Sequence, residues 1–491
     1  MSLRKTLILA FLLVAALAYI VKVQMPHDEE KRAERMLFAN LNNESIESIS
    51  LSGMLGEFTL KNTEPRPHRT SGSQEDSMDV DALRKWQLAD VQGADLDRST
   101  LNALISALVG FTLDDKPLPA EDLDSDLEVY GLKTPALKIK VNGGGKTTEL
   151  QFGKENSYVA KRYVRVGEGK DLYLVTPGLF AAANKTKNEF RNKAPLEFLD
   201  NELKSISIHS PQTGVTTFEI DDQYQWHITQ PIRATASSKA MADLTREIRS
   251  MRAVTFLDGD LKLSDYGLDT PLIEVDMVFK GAAKREPLHL ILSQPDGQPD
   301  SAVYLKVSDK PSIFKLESNP LPGISKPLDE FREFELFKFA SDQAVQLDFE
   351  FFQAPSLSLV RTGDSWLVNS KPADINFVRG LLESLATLHA EGFPKDNRDY
   401  GFANPRMKLV LRLVGPEPEK KVIERTLMIG DSADQSAKEG TRYYAAVDGT
   451  SEVFLISKDT LKDIYPREDM LLQREAPTQP TPPATQPDQP K

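Results

Sequence analysis

The stretch Tyr130-Gly131-Leu132-Lys133-Thr134-Pro135 occurs in similar form at two later places in the chain. The later copies keep the tyrosine, the glycine, an apolar or aromatic residue and the proline: Tyr266-Gly267-Leu268-Asp269-Thr270-Pro271 and Tyr400-Gly401-Phe402-Ala403-Asn404-Pro405. The glycine predicts a backbone with positive φ, and the proline predicts the start of a strand, where its missing N–H is harmless. A pattern that returns at regular intervals indicates tandem structural repeats.

The tryptophans mark the same repeats. Trp86, Trp226 and Trp366 are the only tryptophans of the chain and are spaced 140 residues apart. Each is followed, before the next Tyr-Gly copy, by a segment with helical spacing of apolar residues, which in the first copy are Leu101, Leu104, Ile105 and Leu108. Alternating strands surround these segments. Each copy therefore reads β-β-β-α-β-β-β-β-α, with the tryptophan in the third strand.

The predicted fold class is α+β, with an N-terminal single transmembrane helix followed by three tandem repeats of mostly antiparallel sheet with two helices each. Strands such as residues 137–141 alternate apolar and charged residues, which is typical of antiparallel sheet with one solvated face. The repeats are assigned to residues 44–196, 197–338 and 339–472, called modules 1, 2 and 3 below. Module 1 carries a polar insertion at residues 61–80.

The N-terminus predicts membrane attachment. Residues 6–23 contain one charge, follow Arg4 and Lys5, and would span about 27 Å as a helix, close to a bilayer core. Residues 1–5 are then a cytoplasmic tip and residues 24–43 a stalk. Two alternatives remain, a signal peptide cleaved near Ala16-Leu17-Ala18 and a buried soluble helix. Either the anchor or the signal peptide exports the rest of the chain.

Composition limits the functions that the chain can have. Its 491 residues include 60 basic and 73 acidic residues, for a net charge of −13, which argues against a nucleic-acid partner. The absence of cysteine excludes disulfides, thiolate zinc sites and cysteine nucleophiles. The length favours about three domains. Residues 473–491 are rich in proline, glutamine and threonine and predict a disordered tail.

The sequence contains no recognisable catalytic, phosphate-binding or metal-binding motif. The run Gly143-Gly144-Gly145-Lys146-Thr147 lacks the first glycine of a phosphate loop, so it predicts a hairpin turn. The six histidines show no metal-binding spacing, and the acidic run at residues 121–126 lacks the glycine and glutamate of a calcium loop. We therefore expect no catalytic, cofactor-binding or metal-binding residues and no enzyme. The repeated Trp, Tyr, Gly and Pro residues are interpreted as structural markers, with a binding role for their aromatic faces as the alternative.

The order of these motifs resembles the bacterial domain-of-unknown-function family 4340, over residues 1–472. Two further elements carry the resemblance: a Leu-x-aromatic-or-aliphatic-Gly strand end and a closing Phe-Arg, found at Leu150-Gln151-Phe152-Gly153, Leu427-Met428-Ile429-Gly430, Phe190-Arg191 and Phe331-Arg332. Copy two departs from the glycine at Ser293. In copy three, Tyr465-Pro466-Arg467 is matched to the closing Phe-Arg.

Members of that family are typically encoded beside ABC-type transport components like those of gliding-motility systems. The resemblance implies a non-enzymatic, membrane-anchored periplasmic accessory or scaffold protein with an integral membrane or ABC-transporter-type partner. It would lie in the bacterial inner membrane with its N-terminus in the cytoplasm and its repeats in the periplasm. The alternatives are a cell-envelope module that binds glycan or peptide and, third, an envelope hydrolase. The family implies no catalytic residues and no cofactor.

Overall fold

The computed structural model describes residues 35–38, 40–65, 85–113, 117–118, 127–281, 285–295, 297–298, 301–395, 398–415, 421–434 and 441–472. The chain forms two compact units. Unit 1 comprises the described residues up to Phe198, with Ile248–Glu274 and Leu288–Leu321, and unit 2 comprises Leu199–Glu247, Val275–Pro287 and the described residues from Pro322 onward. The predicted cytoplasmic tip, anchor and tail lie outside the described residues, as do most of the stalk and of the insertion. The boundaries between modules remain a prediction.

Module 1 contains a seven-stranded antiparallel sheet in the order β3-β2-β1-β4-β5-β6-β7. Its strands are β1 (Ile46–Gly53), β2 (Gly56–Asn62), β3 (Trp86–Leu88), β4 (Leu137–Gly143), β5 (Lys146–Asn156), β6 (Lys161–Val166) and β7 (Leu172–Val175). Alternate residues of β4 are buried, as its alternating sequence predicts. The inner face of the sheet and the helices at residues 98–109 and 178–183 enclose the main apolar core.

The strands of module 2 are divided between the two units. They are β8 (Leu203–Ser210), β9 (Gly214–Ile220), β10 (Trp226–Gln230), β11 (Ala234–Thr235), β12 (Ala253–Leu257), β13 (Ile273–Phe279), β14 (Leu288–Ser293), β15 (Tyr304–Val307) and β16 (Ile313–Leu316). In unit 2 the antiparallel order is β11-β10-β9-β8. In unit 1 it is β14-β15-β16-β12.

Module 3 contains an eight-stranded antiparallel sheet in the order β20-β19-β18-β17-β21-β22-β23-β24. Its strands are β17 (Ala344–Phe351), β18 (Ala354–Thr362), β19 (Ser365–Val368), β20 (Lys371–Pro372), β21 (Met407–Val414), β22 (Val422–Ser432), β23 (Arg442–Val447) and β24 (Val453–Ser457). The core of this module lies wholly in unit 2.

The helices of the described residues are α1 (Arg98–Val109), α2 (Gly178–Ala183), α3 (Ser238–Ser250), α4 (Leu321–Ile324), α5 (Ile375–Ala386), α6 (Lys458–Ile464) and α7 (Glu468–Leu471). The carboxylate of Asp97 accepts from the backbone N–H of Thr100 and caps α1, and Asp374 caps α5 by accepting from the N–H of Asn376. The sequence predicts Asp97 or Ser99 as the cap of the first helix and Asp374 as the cap of the third long helix, and the structure selects Asp97 and confirms Asp374. The apolar residues of α1 that have helical spacing are buried in the core of module 1.

The α+β class predicted from the sequence is wrong. Strands hold 41% of the described residues and helices 20%, so the described part of the chain is mainly antiparallel sheet. Each repeat has at least the two helices that were expected, but among the described residues only α1, α3 and α5 exceed seven residues. The spacing of apolar residues predicts how many helices and strands there are. The fold class depends on how many residues each helix and strand contains. No helix in the described part of the chain is long and apolar enough to cross a membrane.

Candidate functional site: arginine joints between repeats

The tryptophan markers lie in the cores of the repeats. Trp86 begins β3, Trp226 begins β10 and Trp366 is the second residue of β19. Their exposed fractions are 3%, 8% and 5%. Their rings therefore present little surface to a ligand, and their positions favour packing as their role.

The Tyr-Gly turns share one geometry in all three copies. The glycines have φ values of +69°, +66° and +78°, as predicted, at Gly131, Gly267 and Gly401. Each proline stands two residues before a strand: Pro135 before β4, Pro271 before β13 and Pro405 before β21. Each tyrosine also packs against a second tyrosine with ring centroids about 5 Å apart, in the pairs Tyr130–Tyr163, Tyr266–Tyr304 and Tyr400–Tyr444. The sequence did not reveal these pairs.

The structure explains the glycine that copy two lacks. A Cβ on Gly153 would lie 2.1 Å from the carbonyl oxygen of Tyr130, and one on Gly430 would lie 2.0 Å from that of Tyr400. Copies one and three therefore require glycine. In copy two, Ser293 stands at this position and its hydroxyl donates a hydrogen bond to the carbonyl oxygen of Tyr266. A side-chain contact thus replaces the close backbone approach.

The closing arginine of module 1, Arg191, makes a buried cluster of contacts with the next repeat, and this cluster is called the first joint below. Arg191 is 2% exposed, and its Nη1 donates to both carboxylate oxygens of Asp258 at 2.9 and 2.8 Å. Its Nη2 donates to the hydroxyl of Ser312 at 2.6 Å, and the guanidinium lies 3.9 Å from the ring centroid of Phe256. Asp258 and Ser312 belong to the next repeat and, like Arg191, to unit 1. The joint therefore links two successive repeats inside that unit.

Asp258 is ionised in this joint because of its partners. Burial opposes the charged form, but hydrogen bonds from Ser312 and Arg191 outweigh it and hold the pKa of Asp258 below its usual value. Lys187 adds a second cation 3.7 Å from the same carboxylate. The buried charge of Arg191 is therefore compensated.

The closing arginine of module 2 forms a second joint of the same design inside unit 2. Arg332 is 9% exposed, and its Nε and Nη2 donate to one carboxylate oxygen of Glu452 at 3.1 and 2.8 Å. The guanidinium lies 3.2 Å from the ring centroid of Phe393. The other carboxylate oxygen of Glu452 accepts from the backbone N–H of Thr235. Glu452 and Ser312 occupy matching places, each directly before the last strand of its module.

The corresponding place in module 3 is Leu471-Leu472, so the assignment of Tyr465-Pro466-Arg467 to the closing Phe-Arg is wrong. The same backbone hydrogen bond identifies all three copies, from Asp97 to Phe190, from Ser237 to Phe331 and from Asp374 to Leu471. The next residue of each copy, Arg191, Arg332 or Leu472, makes the same isolated bridge. Arg467 instead forms an exposed ion pair with Asp469. The third copy therefore keeps the backbone contact and replaces the guanidinium with an apolar side chain.

The two joints differ in the space beside them. Beside the first joint lies a cavity of only 10 Å³, next to the ion pair between Lys310 and Asp95 at 2.6 Å. The second borders a cleft of 530 Å³, called the joint cleft below. It is lined by Glu219, Ile220, Asp221, His227, Ile228, Thr229, Arg233, Ala234, Thr235, Gly449, Thr450, Ser451 and Glu452, all in unit 2.

Neighbouring strands place the polar groups of the joint cleft. His227 on β10 is paired with Glu219 on β9 and with Thr235 on β11, so these three side chains share one face of the sheet. Nε2 of His227 lies 2.8 Å from the carboxylate of Asp221. Hydrogen bonds from His227 and from the backbone of Gln225 lower the pKa of Asp221. The cleft thus carries both acidic and basic groups.

The chain matches the family model described as a domain of unknown function (DUF4340) over three overlapping segments, residues 86–271, 258–395 and 366–470. The chain belongs to the DUF4340 family. This confirms the family that its motifs resemble, and two of the matched segments begin at Trp86 and Trp366. No curated protein and no solved structure matches the chain.

The two closing arginines of this DUF4340 member were recognisable from the sequence, but the residues that accept their hydrogen bonds were not. Asp258, Ser312 and Glu452 are different residue types and lie far along the chain, so no repeated motif marks them. The glycine run beside Lys146 is the hairpin turn between β4 and β5, as predicted. Among the described residues, no cluster of three His, Asp or Glu side chains is arranged to hold a metal ion.

Proposed function

We propose that this DUF4340 protein is a non-enzymatic accessory scaffold of the bacterial cell envelope. The buried Arg191 joint carries the proposal. In this joint the guanidinium of Arg191 binds a carboxylate and a hydroxyl of the next repeat, which connects the two repeats within unit 1. A buried ion pair fixes a specific geometry more than it adds stability, and a surface that must present a constant shape to a partner requires a fixed geometry.

The proposed partner is an integral membrane protein, in particular the permease of an ABC-type or gliding-motility-like transport system. The genomic neighbourhood typical of the family supports this partner. The apolar sequence of residues 6–23, preceded by Arg4 and Lys5, supports attachment to the inner membrane with the repeats in the periplasm. Attachment would raise the effective concentration of the repeats at a membrane partner without any additional contact.

The test is co-purification of the tagged full-length chain from membranes dissolved in a mild detergent, with the bound proteins identified by mass spectrometry. We expect a permease and an ATP-binding subunit in the eluate. A chain that lacks residues 1–23 should lose them, because its repeats are no longer concentrated at the membrane.

Two comparisons make this experiment decisive. Arg191→Met should reduce recovery of the permease, whereas Arg467→Met, which removes an exposed arginine, should not. Recovery of the full-length chain from the soluble fraction alone would overturn the proposal, as would eluates that hold no membrane protein.

A further inference from the structure

We propose that the joint cleft is a binding site for a short zwitterionic peptide, in which Arg233 binds the carboxylate and Glu219 the ammonium group. This goes beyond the scaffold function, which needs no small ligand. Three features of the cleft carry the inference: it opens at only one of two matching joints, two of its charged side chains have no partner among the described residues, and the rest of its lining suits a peptide.

The first feature is the difference between the joints. Leu96 and Ala236 make matching bridges to the two closing arginines, so Asp95 of the first joint corresponds to Thr235 of the second. Likewise Lys310 corresponds to Thr450, since each stands two residues before the matching Ser312 or Glu452. The ion pair beside the small first cavity is therefore replaced by two threonines at the second joint, where the cleft measures 530 Å³. That volume is in the range of small-molecule sites.

The second feature is a pair of opposite charges on the cleft wall. Arg233 and Glu219 are exposed, and neither makes an ion pair or side-chain hydrogen bond with any residue in the described part of the chain. The other two carboxylates of the cleft are already used, Asp221 by His227 and Glu452 by Arg332. The unused guanidinium fits a carboxylate with two parallel hydrogen bonds. The unused carboxylate fits an ammonium group.

The third feature is the remaining lining. Thr229, Thr450 and Ser451 add hydroxyl groups that can bind the peptide groups of a ligand. The lining of the cleft contains no Phe, Tyr or Trp ring, so the large stacking platform that favours a sugar ring is missing there. A neutral glycan would also leave both charges unpaired. A peptide with free termini satisfies both.

The binding test is isothermal titration calorimetry of the full chain with trialanine. We expect saturable binding of trialanine and roughly tenfold weaker binding of its C-terminal amide, which lacks the carboxylate. Arg233→Gln should weaken trialanine binding by a similar factor and should make the amide and the free peptide equal. The matched control is Arg379→Gln, which removes another exposed arginine of unit 2, on α5, away from the cleft.

A second variant closes the cleft. Thr235→Asp with Thr450→Lys copies the ion pair of the first joint and should abolish binding while the circular dichroism spectrum is kept. Trialanine that binds Arg233→Gln as tightly as the unmodified chain would overturn the proposal, as would the absence of trialanine binding. Tighter binding of N-acetylglucosamine trisaccharide, unaffected by Arg233→Gln, would assign the cleft to a glycan and overturn it as well. None of these outcomes bears on the membrane partner.

Discussion

Arg332 donates two hydrogen bonds to Glu452, a residue 120 positions further along the chain, and the two side chains are largely buried. The carboxylate that binds the matching arginine, Arg191, comes from a different position in the repeat. Asp258 follows β12, whereas Glu452 precedes β24, and Ser312 stands where the glutamate would be expected. The two joints thus keep the cation and its aromatic ring, Phe256 or Phe393, and change the element that supplies the anion.

The Arg332 joint predicts a large loss of stability when one partner is removed. Arg332→Met leaves the Glu452 carboxylate buried without its cation, which should lower the free energy of unfolding by about 3–5 kcal/mol. Urea denaturation followed by tryptophan fluorescence measures this change. Adding Glu452→Met should restore most of the loss, because no buried charge then remains unpaired.

Arg467→Met is the matched control for that prediction. Its ion pair with Asp469 is exposed, so the change should stay below about 1 kcal/mol. Equal losses for Arg332→Met and Arg467→Met would show that the joint contributes no more than a surface ion pair.

How far the sequence predicts this architecture depends on the range of each interaction. Asp374 was predictable as a helix cap, and the other cap was predictable to within Asp97 or Ser99, because a cap acts within three residues. The Tyr-Gly turns were predictable because a positive φ restricts the residue type locally. The joints were not, since Arg191 and Ser312 are 121 positions apart and their pairing depends on packing between repeats.

The end of the third repeat shows a different limit. Its Leu471-Leu472 keeps the backbone contacts of Phe331-Arg332 but has no arginine, and the nearby Arg467 is more similar in sequence to the closing arginine. The joint cleft was missed for a related reason. Glu219 and His227 come together through strand pairing, which the predicted strands did not specify in register.

Close backbone contacts predict which glycines tolerate a side chain. Gly430→Ala places a Cβ against the carbonyl oxygen of Tyr400 and should lower the free energy of unfolding by about 1–3 kcal/mol. Ser293→Ala removes the hydroxyl that binds the Tyr266 carbonyl, at a cost of about 1 kcal/mol. Thermal unfolding of the two variants measures both effects.

Gly380→Ala provides the control for the glycine prediction. Gly380 lies in α5 with no heavy atom within 4 Å of a Cβ, so alanine should keep or raise the melting temperature. If Gly430→Ala and Gly380→Ala had the same melting temperature, the Tyr400 carbonyl would have to move aside without loss of stability.

The buried tryptophans predict folding defects. Trp226→Ala removes a side chain that is 8% exposed and leaves a cavity, so we expect a loss of about 3–5 kcal/mol. Trp226→Phe should recover part of it. Urea denaturation measures the loss, and binding to isolated cell wall measures the alternative role. An alanine variant with unchanged stability and lost wall binding would assign the ring to recognition.

Acid should weaken the first joint. The pKa of Asp258 in the folded chain lies below its ordinary value of 3.8 because hydrogen bonds from Ser312 and Arg191 outweigh the effect of burial. The unfolded chain therefore binds a proton first, so this carboxylate stabilises the fold above its ordinary pKa and loses that contribution as the pH falls through its folded pKa. Melting temperatures at pH 7, 5, 4 and 3 should fall more steeply for the unmodified chain than for Asp258→Asn. Other carboxylates, such as Asp434 with its pKa of about 2, act in both proteins and cancel in the difference. Parallel curves would show that Asp258 does not link this joint to pH.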